Sequence, residues 1–462
     1  MYLYRNITSR KLILKILNRL EKQNSYLNIL LPSFFLKYKP IDQDKALMQE
    51  ISYGVTRFKK RLDWIISQFL TNKKITLPLN IQNILRMGIY QILYLEKVPD
   101  YAIVNESVEL AKQSSFKGYS GLVNAILRNV IRKSTNINWP DIKSDPINYI
   151  SVFYSFPEWL VRRWINRFGL DMCLKICQAN NIKPSLTLRI NSLKISMQQF
   201  RERLSELKIT FQESVYLPAT AIIIKDFYEV GKIPIFKEGL FTIQDESSML
   251  ASEFLAPVAG ETIIDMCSGP GGKTTHMAQL MQNKGKIMAL EINQNRLEMV
   301  VAEVRRLGIE IVSPVLIDSR KLNSAYLGKA DKILVDAPCS GTGVIRKKPD
   351  IKWKQWDISH LNGLNQIQEN LLDVAAQYLK PGGELLYTTC SIEKEENEDI
   401  ILKFIKKYTN FTIQESSQFV EKNGIVNYIT NIKEAIQLIP GYSGNNIDGF
   451  YIIKMRKNNF KE

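Results

Sequence analysis

Histidine and cysteine are scarce in this chain, with two histidines and five cysteines among 462 residues. His276 and His360 stand in no ligand-spaced cluster. Cys173 and Cys177 share one helical face but have no further ligands beside them, so the pair reads as core packing rather than zinc, and no metal is expected. Scattered cysteines build no disulfide framework, which points to a reducing, cytoplasmic compartment. Long apolar runs are missing as well: none approaches the ~20 residues of a membrane span. Met1 to Arg10 lack an apolar core followed by small residues, so no signal peptide is expected. Repeats and low-complexity tracts do not stand out. These absences exclude a zinc module, a disulfide-stapled secreted domain and a helical membrane protein. What remains is an ordinary globular composition, 45% apolar and 23% charged, long enough for two or three domains.

The charge balance divides unevenly along the chain. Residues 1–140 carry 22 Lys and Arg against 9 Asp and Glu, a net of +13, which leaves +3 of the total +16 for the rest. A basic segment joined to a nearly neutral one suggests a polyanion-binding module attached to a catalytic module, and nucleic acid is the favoured polyanion. The competing explanation, a general bias toward Lys, Asn and Ile, accounts for the lysine content but not for where the excess sits.

Apolar residues from Arg10 to Lys133 recur at helical spacing. Leu12, Ile13, Ile16, Leu17 and Leu20 form one stripe; others run through Leu47 to Leu70, Ile81 to Leu95 and Ala102 to Ile131. Pro78 and Pro99 fall between stripes, so the region reads as a bundle of about five to seven helices. Ser134 to Asp145 reads as a linker. Pro157-Glu158-Trp159-Leu160 opens an amphipathic helix through Phe168. Leu186 to Ile190 alternates as a strand does, and Ala221 to Lys225 reads as another short one. From Gly239 onward strands and helices alternate. Thr262 to Met266, Lys286 to Ile292, Ile309 to Ile317, Asp331 to Ala337, Glu384 to Thr389 and Gly449 to Arg456 are the strand candidates, and the alternation predicts a parallel, doubly wound sheet.

Chemistry gathers at the ends of those strands, where such sheets bind ligands. The first runs into Asp265-Met266-Cys267-Ser268-Gly269-Pro270-Gly271-Gly272-Lys273-Thr274, a turn whose glycines let the backbone come close to a ligand. Glu291 ends the next strand, placed to accept hydrogen bonds from ribose hydroxyls. Asp318 follows the third and Asp336 the fourth. A P-loop would need glycine where Cys267 stands, and a G-x-G-x-x-G turn begun at Gly269 would need glycine at Thr274. Two cysteines also close strands: Cys339 in Asp336-Ala337-Pro338-Cys339-Ser340-Gly341, and Cys390 in Thr388-Thr389-Cys390-Ser391. Paired thiols beside a glycine turn suggest thiol chemistry on a bound substrate.

Asp265 to Thr274 resembles the D-x-C-A-x-P-G-G-K-T signature of the S-adenosylmethionine-dependent RNA 5-methylcytosine methyltransferases. Asp336 to Gly341 matches that family's D-A-P-C-S-G, Thr389 to Ser391 its T-C-S, and Gln244 to Ser248 resembles its Q-D-x-x-S. The N-terminal region resembles the NusB-like domain of the RsmB branch, which modifies 16S ribosomal RNA. Two departures, Ser268-Gly269 for a small pair and Glu291 for the usual Asp, keep small residues and a carboxylate in place. The resemblance implies a multidomain chain: an all-α NusB-like RNA-binding bundle over 1–140, a small α+β connector over 141–238, and an α/β Rossmann-like methyltransferase domain over 239–462. It implies S-adenosylmethionine as cofactor, held by Cys267, Ser268, Gly269, Pro270, Gly271, Gly272, Lys273, Glu291, Asp318 and Asp336. It also implies a cytosine in 16S rRNA as substrate and a monomeric enzyme. Cytosine carbon-5 becomes nucleophilic only after a thiolate adds at carbon-6. Chemistry alone leaves open which thiol attacks. DNA cytosine methyltransferases use a Pro-Cys, which would nominate Cys339; the RNA family uses the T-C cysteine, which implies Cys390 as nucleophile with Cys339 assisting release. Asp336 and Lys273 are candidates for stabilising charge on the base. Arg346 to Lys348 and Lys352-Trp353-Lys354 are candidates for flanking RNA contacts, and Glu393 to Asp399 reads as an acidic helix start. The same reaction on 23S rRNA or tRNA, and a non-enzymatic RNA-binding assembly factor, are the alternatives.

Overall fold

A computed structural model of the chain describes residues 8–23, 25–70, 75–224, 231, 233–354, 358–444 and 446–459. Most of Met1 to Arg10, and Lys225 at the end of an expected strand, lie outside the described residues. The chain forms two compact units, one of residues 1–182 with 345–354, the other of 183–344 with 355–462.

The first unit is helical. Thr8 caps helix Ser9–Lys22 by accepting the Lys11 N–H, and the expected stripe of Leu12, Ile13, Ile16 and Leu17 is buried. Helices Leu27–Tyr38, Asp42–Arg57, Lys59–Phe69, Leu79–Tyr94, Asp100–Lys112 and Ser120–Lys133 follow. Leu79–Tyr94 is buried on nearly every side, as a helix at the centre of a bundle must be. Its Tyr90 ring lies against Gly54, where a Cβ would fall 1.9 Å from the ring. Arg86 on the same helix is 3% exposed and reaches Asp63 at 2.6 Å and Glu21 at 2.7 Å. Helices Pro146–Phe153, Glu158–Phe168 and Leu170–Asn181 complete the run, with Cys173 and Cys177 fully buried on the last.

Segment 345–354, which follows the Cys339 loop in sequence, belongs to this helical unit. Lys352 is 1% exposed and donates to Arg57 O and Ser155 O, both at 3.2 Å, and to Asn181 Oδ1 at 2.9 Å. Its ammonium sits 3.6 Å from the centre of the Phe156 ring. Trp353 donates to Thr56 O at 2.7 Å, and Lys354 to Ser25 O at 2.8 Å. Arg346 is buried, its N–H held by Asn180 Oδ1 and its carbonyl by Arg57. The expectation that these residues contact RNA is therefore corrected for Lys352, whose buried ammonium is used inside the protein; Arg346 is buried, and Trp353 and Lys354 are part-buried with their side-chain donors bonded to backbone carbonyls. Removing the Lys352 amine strips buried acceptors of their donor, so Lys352→Ala is expected to lower stability by about 2–4 kcal/mol in urea unfolding.

The second unit holds two sheets. Strands β1 (Leu186–Ile190), β2 (Phe211–Glu213), β3 (Ala221–Ile224) and β4 (Phe241–Ile243) form an antiparallel sheet in the order β2-β3-β1-β4. The other sheet has eight strands: β5 (Thr262–Asp265), β6 (Lys286–Glu291), β7 (Val312–Leu316), β8 (Ala330–Asp336), β9 (Leu379–Thr389), β10 (Phe411–Ile413), β11 (Ile436–Leu438) and β12 (Phe450–Lys457). Their order is β10-β12-β9-β8-β5-β6-β7, with β11 paired on β12. The segment from β9 through β8, β5 and β6 to β7 is parallel, as the alternation predicted; β12 runs antiparallel to β9, β10 and β11. Successive residues of each strand serve opposite faces: Ile264, Ile333 and Val335 pack beneath the helices Ile358–Tyr378 and Glu398–Lys407, and Ile263 and Leu334 beneath Glu246–Leu255 and Gly272–Leu280. Among the described residues no helix is long and apolar enough to cross a membrane.

Candidate active site

Strand order locates the site. The chain runs from β5 outward through β6 to β7, then returns to place β8 on the other side of β5. A crevice opens at the carboxyl ends of the strands where the direction reverses, and the glycine turn after β5 and the Asp336–Cys339 loop after β8 flank it.

The turn is tightly specified. Gly271 N–H donates to Ser268 O at 2.7 Å, the Gly269–Pro270 peptide is cis, and Gly271 has φ +108° just before helix Gly272–Leu280. A side chain at Gly271 would be strained, since L residues avoid that conformation. Glu291 Oε2 accepts the Gly269 N–H at 3.0 Å and Oε1 the Asn293 N–H at 3.0 Å. Arg296 donates to Gly269 O. Beneath the turn, fully buried Arg189 of β1 donates to Gly272 O at 2.6 Å, to Thr275 Oγ1 at 2.9 Å and to Gln244. Arg189 reads in the sequence as the solvent face of an alternating strand; both faces of β1 are covered, and the guanidinium supports the turn instead.

Beside the turn lies a pocket lined by Met266, Cys267, Glu291, Arg296, Asp318, Ser319 and Pro338 among others. The hydroxyls of Ser268 and Ser319 are buried without partners, and Glu291 keeps acceptor capacity beyond its two backbone bonds. The residues present, with the Glu291 and Asp318 carboxylates and two unpartnered hydroxyls nearby, are compatible with an adenosyl cofactor. Arg320, forked on Asp318 at 2.8 Å, holds that carboxyl below its usual range. Burial pushes the Cys267 thiol up, and the charges of Asp265 and Asp336 add to the effect.

Asp265 is buried, accepts the Thr274 hydroxyl at 2.6 Å, and is pushed up to about 7 chiefly by burial. An acid held neutral in the fold but ionised when unfolded favours folding at low pH. The stability difference between the wild type and Asp265→Asn is expected to fall by about 1.4 kcal/mol per unit as pH rises from about 4 to about 7, and then to level off. Urea titrations across that range check it.

Lys273 is engaged by an acid. Its Nζ donates to Asp336 Oδ2 at 2.7 Å, while Thr388 donates to Asp336 Oδ1 at 2.9 Å. The structure thus ties Asp336 to the turn on one side and to β9 on the other.

Next to Asp336 the two thiols meet. Cys339 Sγ and Cys390 Sγ lie 3.3 Å apart, both half-buried. The hydrogen bond with Cys390 raises the Cys339 thiol well above its ordinary range, with burial and the Glu396 charge adding to it. Either sulfur can donate to the other across that contact. Their loops are cross-braced: Gly343 N–H donates to Cys390 O at 3.0 Å, and Gly449 N–H to Gly343 O at 2.8 Å. Gly343 has no room for a side chain, whose Cβ would fall 2.1 Å from Gly449 O. The acidic run does start a helix, Glu398–Lys407, but Glu396 within it is buried beside the thiols, which spacing in the sequence does not signal.

Three family models match in chain order: the NusB family over residues 7–132, the ferredoxin-like domain of RsmF/B-like methyltransferases over 156–231, and the 16S rRNA methyltransferase RsmB/F over 252–456. The Bacillus subtilis (strain 168) protein named probable ribosomal RNA small subunit methyltransferase B is 35% identical over 97% of this chain and 98% of its own length. The chain belongs to the ribosomal RNA small subunit methyltransferase B family. A small subunit methyltransferase B from Cronobacter sakazakii is 31% identical over 98% of this chain and 99% of its own. Among solved structures, PH0851 matches with a TM-score of 0.79 at 25% identity, over 98% of this chain and 100% of that one. NSun6 from Pyrococcus horikoshii, solved with SFG, an S-adenosylmethionine analogue, matches with a TM-score of 0.58 at 25% identity, over 67% of this chain and 100% of its own. The helical NusB-like region, the ferredoxin-like connector and the Rossmann-like methyltransferase domain of the small subunit methyltransferase B family are thus all present.

Proposed function

We propose that the protein methylates carbon-5 of a cytosine in 16S rRNA, through a covalent adduct between Cys390 and carbon-6 of the base. The observation that carries this reading is the 3.3 Å thiol pair at the ends of adjacent strands, beside a pocket compatible with an adenosyl cofactor. S-adenosylmethionine bound there supplies an electrophilic methyl group. Cysteine at carbon-6 is what makes carbon-5 able to accept it: the Cys390 sulfur adds, the carbon-5 to carbon-6 double bond opens, and electron density moves to carbon-5. After methyl transfer a base removes the carbon-5 proton, the double bond re-forms, and the Cys390 thiolate leaves. Cys339, whose sulfur lies 3.3 Å from that of Cys390, is placed to return a proton to that thiolate. Asp336, fixed by Lys273 and Thr388, is the carboxylate offered to the ring.

The relatives' printed names support the small ribosomal subunit as the source of the RNA, and the +13 charge of residues 1–140 supports an RNA-binding role for the helical region. We propose the cytoplasm as the site of action, a monomer as the working form, and 1–140, 141–238 and 239–462 as the functional domains. Bisulfite mapping of rRNA with and without the gene tests the substrate. The loss of one 5-methylcytosine from 16S rRNA is expected; an unchanged 16S pattern would refute it.

A further inference from the structure

One buried carboxylate serves both thiol loops. Glu396 is fully buried, and its Oε1 accepts the Ser340 N–H at 2.8 Å while its Oε2 accepts the Ser340 hydroxyl at 2.5 Å. Ser340 directly follows Cys339, and its hydroxyl lies 3.1 Å from that of Ser391, which follows Cys390. Gln368 donates to Pro338 O at 2.9 Å and reaches Glu396 Oε1 at 3.4 Å. Tyr387 O–H donates to the Glu396 carbonyl at 2.7 Å, fixing the backbone that carries the carboxylate.

The two loops depend on Glu396 unequally. The Cys390 loop has its own anchor in Asn397, which takes the Thr389 hydroxyl at 2.6 Å and donates to Ser391 O at 3.0 Å and to Gln437 at 3.1 Å. Besides the Gly343 and Thr342 bonds to the Cys390 loop, the Cys339 loop is held through Ser340 and Pro338 by Glu396 and Gln368. A buried carboxylate accepting an N–H and an O–H from one residue is a strong, directional clamp. Without it the residues next to Cys339 lose their carboxylate anchor, while Asn397 still holds Thr389 and Ser391 beside Cys390.

We infer that Glu396 is a positioning residue of the thiol pair, holding the Cys339 loop so that the two sulfurs stay in contact and the covalent intermediate is released. This rests on the proposed roles of the two cysteines. Its geometry is testable without RNA. Diamide oxidises two neighbouring thiols to a disulfide, its N=N bond taking up both protons and both electrons, so the rate of Cys339–Cys390 cross-linking measures how well the sulfurs are held together. In Glu396→Gln and Ser340→Ala that rate is expected to fall about tenfold, since small misplacements of reacting groups carry large rate costs. In single turnovers with 16S rRNA, both variants are expected to form the covalent adduct at nearly the wild-type rate and to release it about tenfold more slowly. Should Glu396→Gln fail to fold, Ser340→Ala carries the same test. Cross-linking at the wild-type rate, or attack and release slowed alike, would overturn the inference. A wild type that cross-links readily yet methylates no cytosine would overturn the functional reading and leave the clamp standing.

Discussion

Replacing Cys390 with alanine is expected to abolish methylation, lowering transfer of labelled methyl groups into 16S rRNA by more than about a thousandfold. The size of the effect follows from the chemistry. Without a sulfur at carbon-6 the pyrimidine never gains electron density at carbon-5, and Cys339, the neighbouring thiol, sits on a separate loop after β8. Alanine leaves the fold intact, because Cys390 makes its essential loop contact through its backbone carbonyl to Gly343. Binding of a non-reactive cofactor analogue is therefore expected to be unchanged, which separates lost chemistry from lost structure. An active Cys390→Ala enzyme would sink the assignment.

Cys339→Ala is expected to give the opposite phenotype: attack and methyl transfer proceed, product release slows, and a protein–RNA adduct stable to denaturing electrophoresis accumulates. Losing a positioned proton donor costs about a hundredfold or more in turnover, whereas adduct formation is expected to stay within about threefold of the wild type, because the attacking sulfur and the cofactor pocket are untouched. The asymmetry between the two substitutions is the distinctive expectation. Two thiols with interchangeable roles would give two equally dead enzymes and no adduct from either.

The methyltransferase domain is largely legible because strongly apolar strands alternate with helices, and because Asp265, Glu291, Asp336, Cys339 and Cys390 mark its strand ends. The short strands β10 and β11 escaped notice: three residues apiece carry too little alternation to register. The antiparallel entry of β12 was equally hidden, since pairing direction depends on partners distant in sequence. In the helical region, stripes such as Leu12 to Leu17 declared themselves, because burial on one side imposes helical spacing.

Charged residues misled most. Lys352 and Arg189 look like surface residues by type, and each is fully buried because carbonyls from separate segments converge on it. Glu393, Glu396 and Glu398 are all buried, and nothing local in the sequence distinguishes the one that holds Ser340. Such residues are selected by three-dimensional convergence of donors and acceptors, which no spacing rule encodes.

The central claim is that a sulfur of this chain bonds to the target base, and that the sulfur is Cys390. RNA carrying 5-fluorocytosine tests it most directly, because fluorine at carbon-5 leaves no proton to remove and the adduct cannot be released. The wild-type enzyme, 5-fluorocytidine-substituted 16S rRNA and S-adenosylmethionine would be combined, the trapped complex digested with protease and nuclease, and the modified peptide sequenced by mass spectrometry. The methylated fluoropyrimidine nucleotide is expected on the peptide bearing Thr388-Thr389-Cys390-Ser391. Its recovery on the Cys339 peptide, or the absence of any trapped complex, would contradict the mechanism.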